Sequence, residues 1–310
     1  MTNLTSVRSI APAKINFALE ILGKRSDGFH DIDTVMSTVS LADSLTITRA
    51  KPGAGLSYQV EGPGSASLSE SEDISCAAAR LFAEASKTEL DINIHLVKRI
   101  PISAGLGGGS SDAAAMLRAL NILWNLNWPD DRLSELASQI GSDVPFFIHG
   151  GICRCTGRGE LIEKLPDLNN FRLLILSPDL DTLVLNKTAS MFGSLAPTEF
   201  SEGKHAWRVA QRLSRGLPPP TNDLVNTFEK VIERTNQTLN QRYAAYRSVG
   251  ALKIHLSGSG PSVFMFIHPG ADVEFFSQTF ENIGGRCFPV ETLSRRVSRE
   301  VEINVGTLLC

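Results

Sequence analysis

Residues 101–111 read Pro101-Ile102-Ser103-Ala104-Gly105-Leu106-Gly107-Gly108-Gly109-Ser110-Ser111. Glycines without a Cβ let backbone N–H groups converge on an anion, and a following helix adds its positive end. The serines offer hydroxyls to phosphate or a divalent cation. A tight turn would need fewer glycines, so the stretch reads as a phosphate loop. It is not a Walker loop, because no lysine follows Gly109, and Ser110 occupies the third glycine position of the dinucleotide fingerprint. The protein-kinase triplets His-Arg-Asp and Asp-Phe-Gly are absent.

Other candidates for chemistry are scattered. Lys14 and Asn16 stand two apart in a strand-like run and so leave one face; alone, such a pair reads as a solvated face. Phe29-His30 ends a polar loop opened by Gly23 and Gly28, where a packing ring beside a surface histidine is the plain reading. Asp143, in Gly141-Ser-Asp143-Val-Pro145, reads by itself as a turn cap.

Alternation or apolar runs predict strands over 6–22, 44–49, 56–60, 91–98 and 171–177, with a mixed run over 34–41. Helical spacing predicts 71–88, 111–123 and 130–140. Gly141 ends the last of these, and Pro145 is expected to prevent its restart. In the second half, helices are expected at 182–192, 207–213, 272–280 and one long one from 222 to 241. Strands are expected at 251–256, 263–267, 286–289 and 301–305. Strands and helices mixed in both halves give an α+β fold of two lobes, 1–167 and 168–310, with the last strand free to return to the first lobe.

A net charge of −3 excludes a global pull toward nucleic acid or anionic membrane, so a phosphate ligand must be held locally. No apolar run reaches the length of a membrane span, and the N-terminus lacks a signal-peptide pattern, which together point to the cytoplasm. Five scattered cysteines fit a reducing compartment. Cys153 and Cys155 share a strand face without zinc-type neighbours and read as buried hydrophobes.

Six blocks change the weight of these separate signals: Ala11-Pro-Ala-Lys14-Ile-Asn16, Arg25-x-Asp27-Gly28-Phe29-His30, the glycine loop with Gly141-Ser-Asp143-Val-Pro145-Phe146, Thr156-Gly-Arg-Gly-Glu160, Asn222-Asp223-Leu224 and Ser257-Gly-Ser-Gly-Pro-Ser262. In this order they resemble the GHMP small-molecule kinases, and within them the branch whose acceptor is CDP-methylerythritol. The resemblance implies a ribosomal-S5 domain-2-like N-terminal lobe, a ferredoxin-like C-terminal lobe and a site between them. It implies ATP-dependent phosphorylation of the acceptor's 2-hydroxyl in non-mevalonate isoprenoid biosynthesis, with Mg²⁺. It makes Lys14 and Asp143 the catalytic pair, and residues 101–111 the ATP cradle, with Ser110 or Ser111 near the metal. It places Asn16, Phe29, His30, Thr188 and Phe192 on the substrate. Phe29 stands where tyrosine is often found, so stacking survives but a phenolic hydrogen bond does not. Phe192 is equally readable as a core residue, and Ser257–Gly260 either closes a turn or approaches phosphates. A kinase of mevalonate or homoserine fits the Asp27–His30 loop poorly, and a non-catalytic sensor would have no need of both Lys14 and Asp143.

Overall fold

The computed structural model describes residues 4–168, 171–179, 187–251, 253–268 and 270–305. Its strands are β1 (Leu4–Lys24), β2 (His30–Arg49), β3 (Leu56–Glu61), β4 (Ile92–Val97), β5 (Ile152–Gly157), β6 (Leu161–Lys164), β7 (Arg172–Pro178), β8 (His255–Leu256), β9 (Val263–Phe266), β10 (Gly285–Glu291) and β11 (Val301–Val305). Its helices are α1 (Ile74–Ser86), α2 (Gly108–Leu123), α3 (Asp130–Ile140), α4 (Val144–His149), α5 (Lys187–Gly193), α6 (Lys204–Ser214), α7 (Phe228–Thr235), α8 (Gln237–Ser248), α9 (Val273–Asn282) and α10 (Arg295–Ser298). This is an α+β fold with two sheets.

The larger sheet runs β11-β1-β2-β4-β3, with β5 on β2 and β6 on β5. The expected mixed run at 34–41 is instead the middle of one continuous strand, because β2 has partners along both halves: β5 opposite Ile32–Ser37 and β4 opposite Ser44–Arg49. Along β1 the register against β2 shifts between Pro12 and Lys14 and again between Asn16 and Ala18. Such irregularities re-aim side chains, and here they bracket the Lys14–Asn16 segment.

The alanines of α2 (Ala113, Ala114, Ala115, Ala119) are fully buried and let the helix lie close to α1 and β1. Arg118, also buried, donates to Phe147 O at 2.5 Å and to Ile10 O at 3.2 Å. It therefore ties α2 to α4 and β1.

The smaller sheet, β10-β7-β9-β8, packs through Leu174, Leu176 and Val263 on Phe228, Val231, Tyr243 and Tyr246 of α7 and α8. The single long helix expected over 222–241 is a 3₁₀ turn (Thr221–Asp223) followed by two helices. Asn236 divides them, since its side chain accepts from Leu239 N and caps α8. The early part of the helix expected at 182–192 lies outside the described residues.

Candidate active site

Gly107 is the N-cap of α2, with φ of 72° in the left-handed region. The helix therefore starts three residues earlier than the spacing of its apolar residues predicts. Gly108, Gly109 and Ser110 form its first turn, and their N–H groups have no partner among the described residues; the first bond back is Ser111 N to Gly107 O at 2.9 Å. Unpaired donors at a positive helix end are what a phosphate requires. A Cβ at Gly107 would stand 2.8 Å from Phe147 Cζ and 3.0 Å from Lys14 Cγ, so only glycine lets the loop approach the lysine.

Upstream, Pro101, Ala104 and Leu106 are buried, Ile102 is half-buried and Ser103 is exposed. Gly105 abuts the 257–260 turn: a Cβ there would lie 2.3 Å from Ser257 O. Ser257 Oγ donates to Gly105 O at 3.0 Å and to Lys14 O at 3.3 Å, and Ser262 N donates to Ala104 O. Lys14 N in turn donates to Leu106 O at 2.9 Å. The glycine loop, β1 and the turn at 257–262 are thus sewn together by backbone atoms and the Ser257 hydroxyl.

Within this seam Lys14 and Asn16 share a face and are buried. Lys14 Nζ donates to Asn16 Oδ1 at 2.7 Å, the same oxygen accepts from Gly258 N at 2.8 Å, and Asn16 Nδ2 donates to Thr34 Oγ1 at 2.8 Å. Burial pulls the Lys14 ammonium below its usual 10.5, while Asp143 and then Cys155 push it back up. Asp143 is half-buried and faces Lys14 through space without a direct salt bridge. It is the N-cap of α4 and makes no capping bond of its own, which leaves its carboxylate available. The restart that Pro145 was expected to prevent does occur. Pro145 sits in the first turn of α4, where a missing N–H leaves no helix bond unmade.

The aromatic residues divide between two sides. His30 stacks on Phe192 with ring centroids 5.0 Å apart and 25° between planes, and Phe192 meets Phe228 edge-on at 5.0 Å. Burial, then Lys24, lowers the His30 imidazole, which favours its neutral form. Phe29, its chain neighbour, points the other way and is 50% exposed. Alternation along extended backbone gives the two rings different partners. Thr188 Oγ1 lies 3.2 Å from Ser259 Oγ, and Phe192 is one turn further along α5. A continuous path therefore runs from Lys14 through Asn16, Gly258, Ser259 and α5 to the His30–Phe192 stack.

One cluster escaped sequence reading. Beneath the first turns of α2, buried Lys98 donates to Asp43 Oδ2 and to Asp112 Oδ2, each at 2.5 Å. Asp43 Oδ1 also accepts from Arg99 N and Ile100 N at the loop's entrance. Burial alone would lower the Lys98 ammonium, but Asp112 and Asp43 raise it; burial pushes Asp112 up, against Lys98. The available signal was Asp112 itself, a charged residue opening an alanine-rich run that is otherwise all core. Ser111 Oγ is buried with no partner among the described residues, and Ser110 lies half-buried at the helix mouth. No group of three metal-ligating side chains occurs among the described residues. The described cysteines are free, and Cys153 and Cys155 are buried in β5. Among the described residues, no helix is long and apolar enough to cross a membrane.

The family model for the GHMP kinases N terminal domain matches residues 73–151, which span α1, the glycine loop and α4. A 4-diphosphocytidyl-2-C-methyl-D-erythritol kinase of Dehalococcoides mccartyi is 34% identical over 92% of this chain and 97% of its own length. One from Synechococcus sp. is 38% identical over 84% and 86%. A crystal structure of 4-(cytidine 5'-diphospho)-2C-methyl-D-erythritol kinase superposes with a TM-score of 0.74 at 31% identity, covering 92% of this chain and 98% of that one. The chain is a small-molecule kinase and belongs to the 4-diphosphocytidyl-2-C-methyl-D-erythritol kinase family of GHMP kinases.

Proposed function

We propose that this kinase transfers the γ-phosphoryl group of ATP to the 2-hydroxyl of CDP-methylerythritol, a step of non-mevalonate isoprenoid biosynthesis in a reducing cytosol. The observation that carries the reading is the convergence of Lys14, Asp143 and the Gly107 N-cap, joined through α5 to the His30–Phe192 stack. In this reading residues 1–167 form one lobe, which binds ATP, and 168–310 the other, except that β11 returns to the sheet of the first lobe beside β1.

The acceptor is a tertiary alcohol, crowded and weakly acidic. Asp143, whose charge Lys14 feels, accepts its proton. Lys14 keeps Asp143 ionised and stabilises the charge on the transferring group. Because the transition state is loose, fixing these groups matters more than full deprotonation. Asn16 fixes the ammonium, and Gly258 fixes Asn16.

The N–H groups of Gly108, Gly109 and Ser110 hold the triphosphate, and residues 101–107 shape its bed. Mg²⁺ would neutralise triphosphate charge, with the hydroxyl of Ser110 or Ser111 as its protein contact; the orphaned Ser111 Oγ fits such a partner. His30, Phe29, Phe192 and Thr188 hold the cytidine end.

The test is ADP release by the purified chain with CDP-methylerythritol, mevalonate or homoserine as acceptor. Turnover with the first is expected. Turnover only with mevalonate or homoserine would overturn the substrate, and ATP binding without turnover on any acceptor would favour a sensor.

A further inference from the structure

We infer that Arg158 is a positioning residue for base recognition, acting through Phe29; this rests on the cytidine-bearing acceptor proposed above. Its guanidinium carbon lies 4.6 Å from the centre of the Phe29 ring. Phe29 is half-exposed, joins none of the hydrophobic clusters among the described residues, and has no hydroxyl with which to anchor itself. Its backbone, by contrast, is well held. Phe29 N donates to Asp27 Oδ1 at 3.1 Å, Arg25 N donates to Phe29 O at 2.8 Å, and Arg25 Nε donates to both Asp27 oxygens. Arg158 supplies what the backbone cannot, a second surface that fixes the ring plane.

The placement of Arg158 follows from the sheet. Pairing of β5 with β2 sets Gly157 opposite Ile32, so the turn after β5 emerges beside residues 29–31. In that turn Arg158 N donates to Glu160 Oε2 at 2.6 Å, and Arg158 Nε lies 3.7 Å from Glu160 Oε1. Gly159 packs beside Ile32 and Ser142, the residue before Asp143; a Cβ there would lie in ordinary contact, 3.5 Å from Ile32 Cδ1 and from Ser142 O. Arg158 therefore stands on a short, braced bridge between the aromatic loop and the acid-bearing helix.

A guanidinium over one face of an aromatic ring is attracted by its quadrupole and stacks flat upon it. Nearby carboxylates favour that position over migration toward an incoming diphosphate. Glu160 pairs with the guanidinium from one side. Asp27 feels its charge as well: lost hydration would raise its carboxyl, but Phe29 N–H, Arg25 and Arg158 together hold it low. With one face covered, Phe29 presents its free face to a planar base. The result is a layered arrangement of guanidinium, phenyl and pyrimidine that recognises the base without using a hydrogen bond.

The experiment is steady-state kinetics on Arg158→Ala, Phe29→Ala and the double variant, with CDP-methylerythritol and ATP varied separately. Arg158→Ala is expected to raise KM for CDP-methylerythritol about threefold to tenfold, leaving kcat and KM for ATP within about twofold. In the Phe29→Ala background the same change is expected to add nothing further, because the ring through which Arg158 acts is gone. Arg158→Lys, which keeps the charge and braces the turn but loses the planar face, should still show a raised KM. An unchanged KM in Arg158→Ala, full additivity with Phe29→Ala, or a joint fall of kcat with both KM values raised would each overturn the assignment. Failure of the wild-type chain to use CDP-methylerythritol would instead defeat the substrate reading itself.

Discussion

Lys14 Nζ and Asn16 Oδ1 lie 2.7 Å apart on one face of β1, and the same oxygen takes the N–H of Gly258 at 2.8 Å. One amide therefore aims the ammonium and fastens β1 to a turn more than two hundred residues away. Asn16→Ala removes the aim and leaves the Gly258 N–H buried without a partner, at a cost of about 1–3 kcal/mol. We expect kcat to fall on the order of 10–100-fold, the scale of a small misplacement of a reacting group. Steady-state assays beside a thermal melt separate the two effects.

Lys14 should weaken the fold that it serves. Burial lowers its ammonium below 10.5, so the unfolded chain binds this proton more readily than the native one as pH approaches that value. Stability from this group therefore rises with pH up to about 10.5 and is missing at pH 7. Lys14→Met is expected to abolish turnover and gain about 1 kcal/mol at pH 7, a rise in Tm of a few degrees. The gain should shrink as the melts are repeated toward pH 10.

Lys98 has the opposite character. Two buried carboxylates depend on it, and Lys98→Met would leave Asp43 and Asp112 facing each other without a cation. Breaking a buried pair from one side costs about 3–5 kcal/mol. Urea unfolding should show that loss, and ATP affinity should fall with it because Asp43 also anchors the entry to the glycine loop.

His149 closes the helix that Asp143 opens. Burial, and next Lys164, lowers its imidazole to about 4, with Nε2 3.0 Å from Ser134 Oγ. The unfolded chain takes up the proton near pH 6.5 and the native chain only near pH 4, so stability is full above 6.5 and drains as pH falls through this window. The loss amounts to about 2–3 kcal/mol. His149→Gln keeps a polar partner for Ser134 and should remove that part of the acid dependence in denaturant titrations at pH 7, 5.5 and 4.5.

Much of this fold was legible because local signals and tertiary partners agreed. The helix at 130–140 begins after Pro129 and ends at Gly141, and β4 alternates as a half-buried strand should. Legibility failed where a distant partner decided the outcome. Nothing local reveals that β5 and β4 between them extend β2 into one strand, nor that Asn236 would cap a second helix rather than continue the first. The start of α2 differs from the expected one because glycine has poor helix propensity, and the left-handed cap at Gly107 rather than local preference begins the helix at Gly108. The shared face of Lys14 and Asn16 followed from strand period alone. The Lys98 triad did not, since its members come from three separate segments and only Asp112, a charge at the head of a core-forming run, hints at burial.

The most direct measurement is kcat/KM of Asp143→Asn with CDP-methylerythritol, alongside nucleotide affinity by calorimetry. The amide is isosteric and cannot take the hydroxyl proton. We expect a loss on the order of 10²–10⁴ in rate with ATP affinity preserved. A variant within about threefold of the parent enzyme would contradict the assignment of Asp143 as the base.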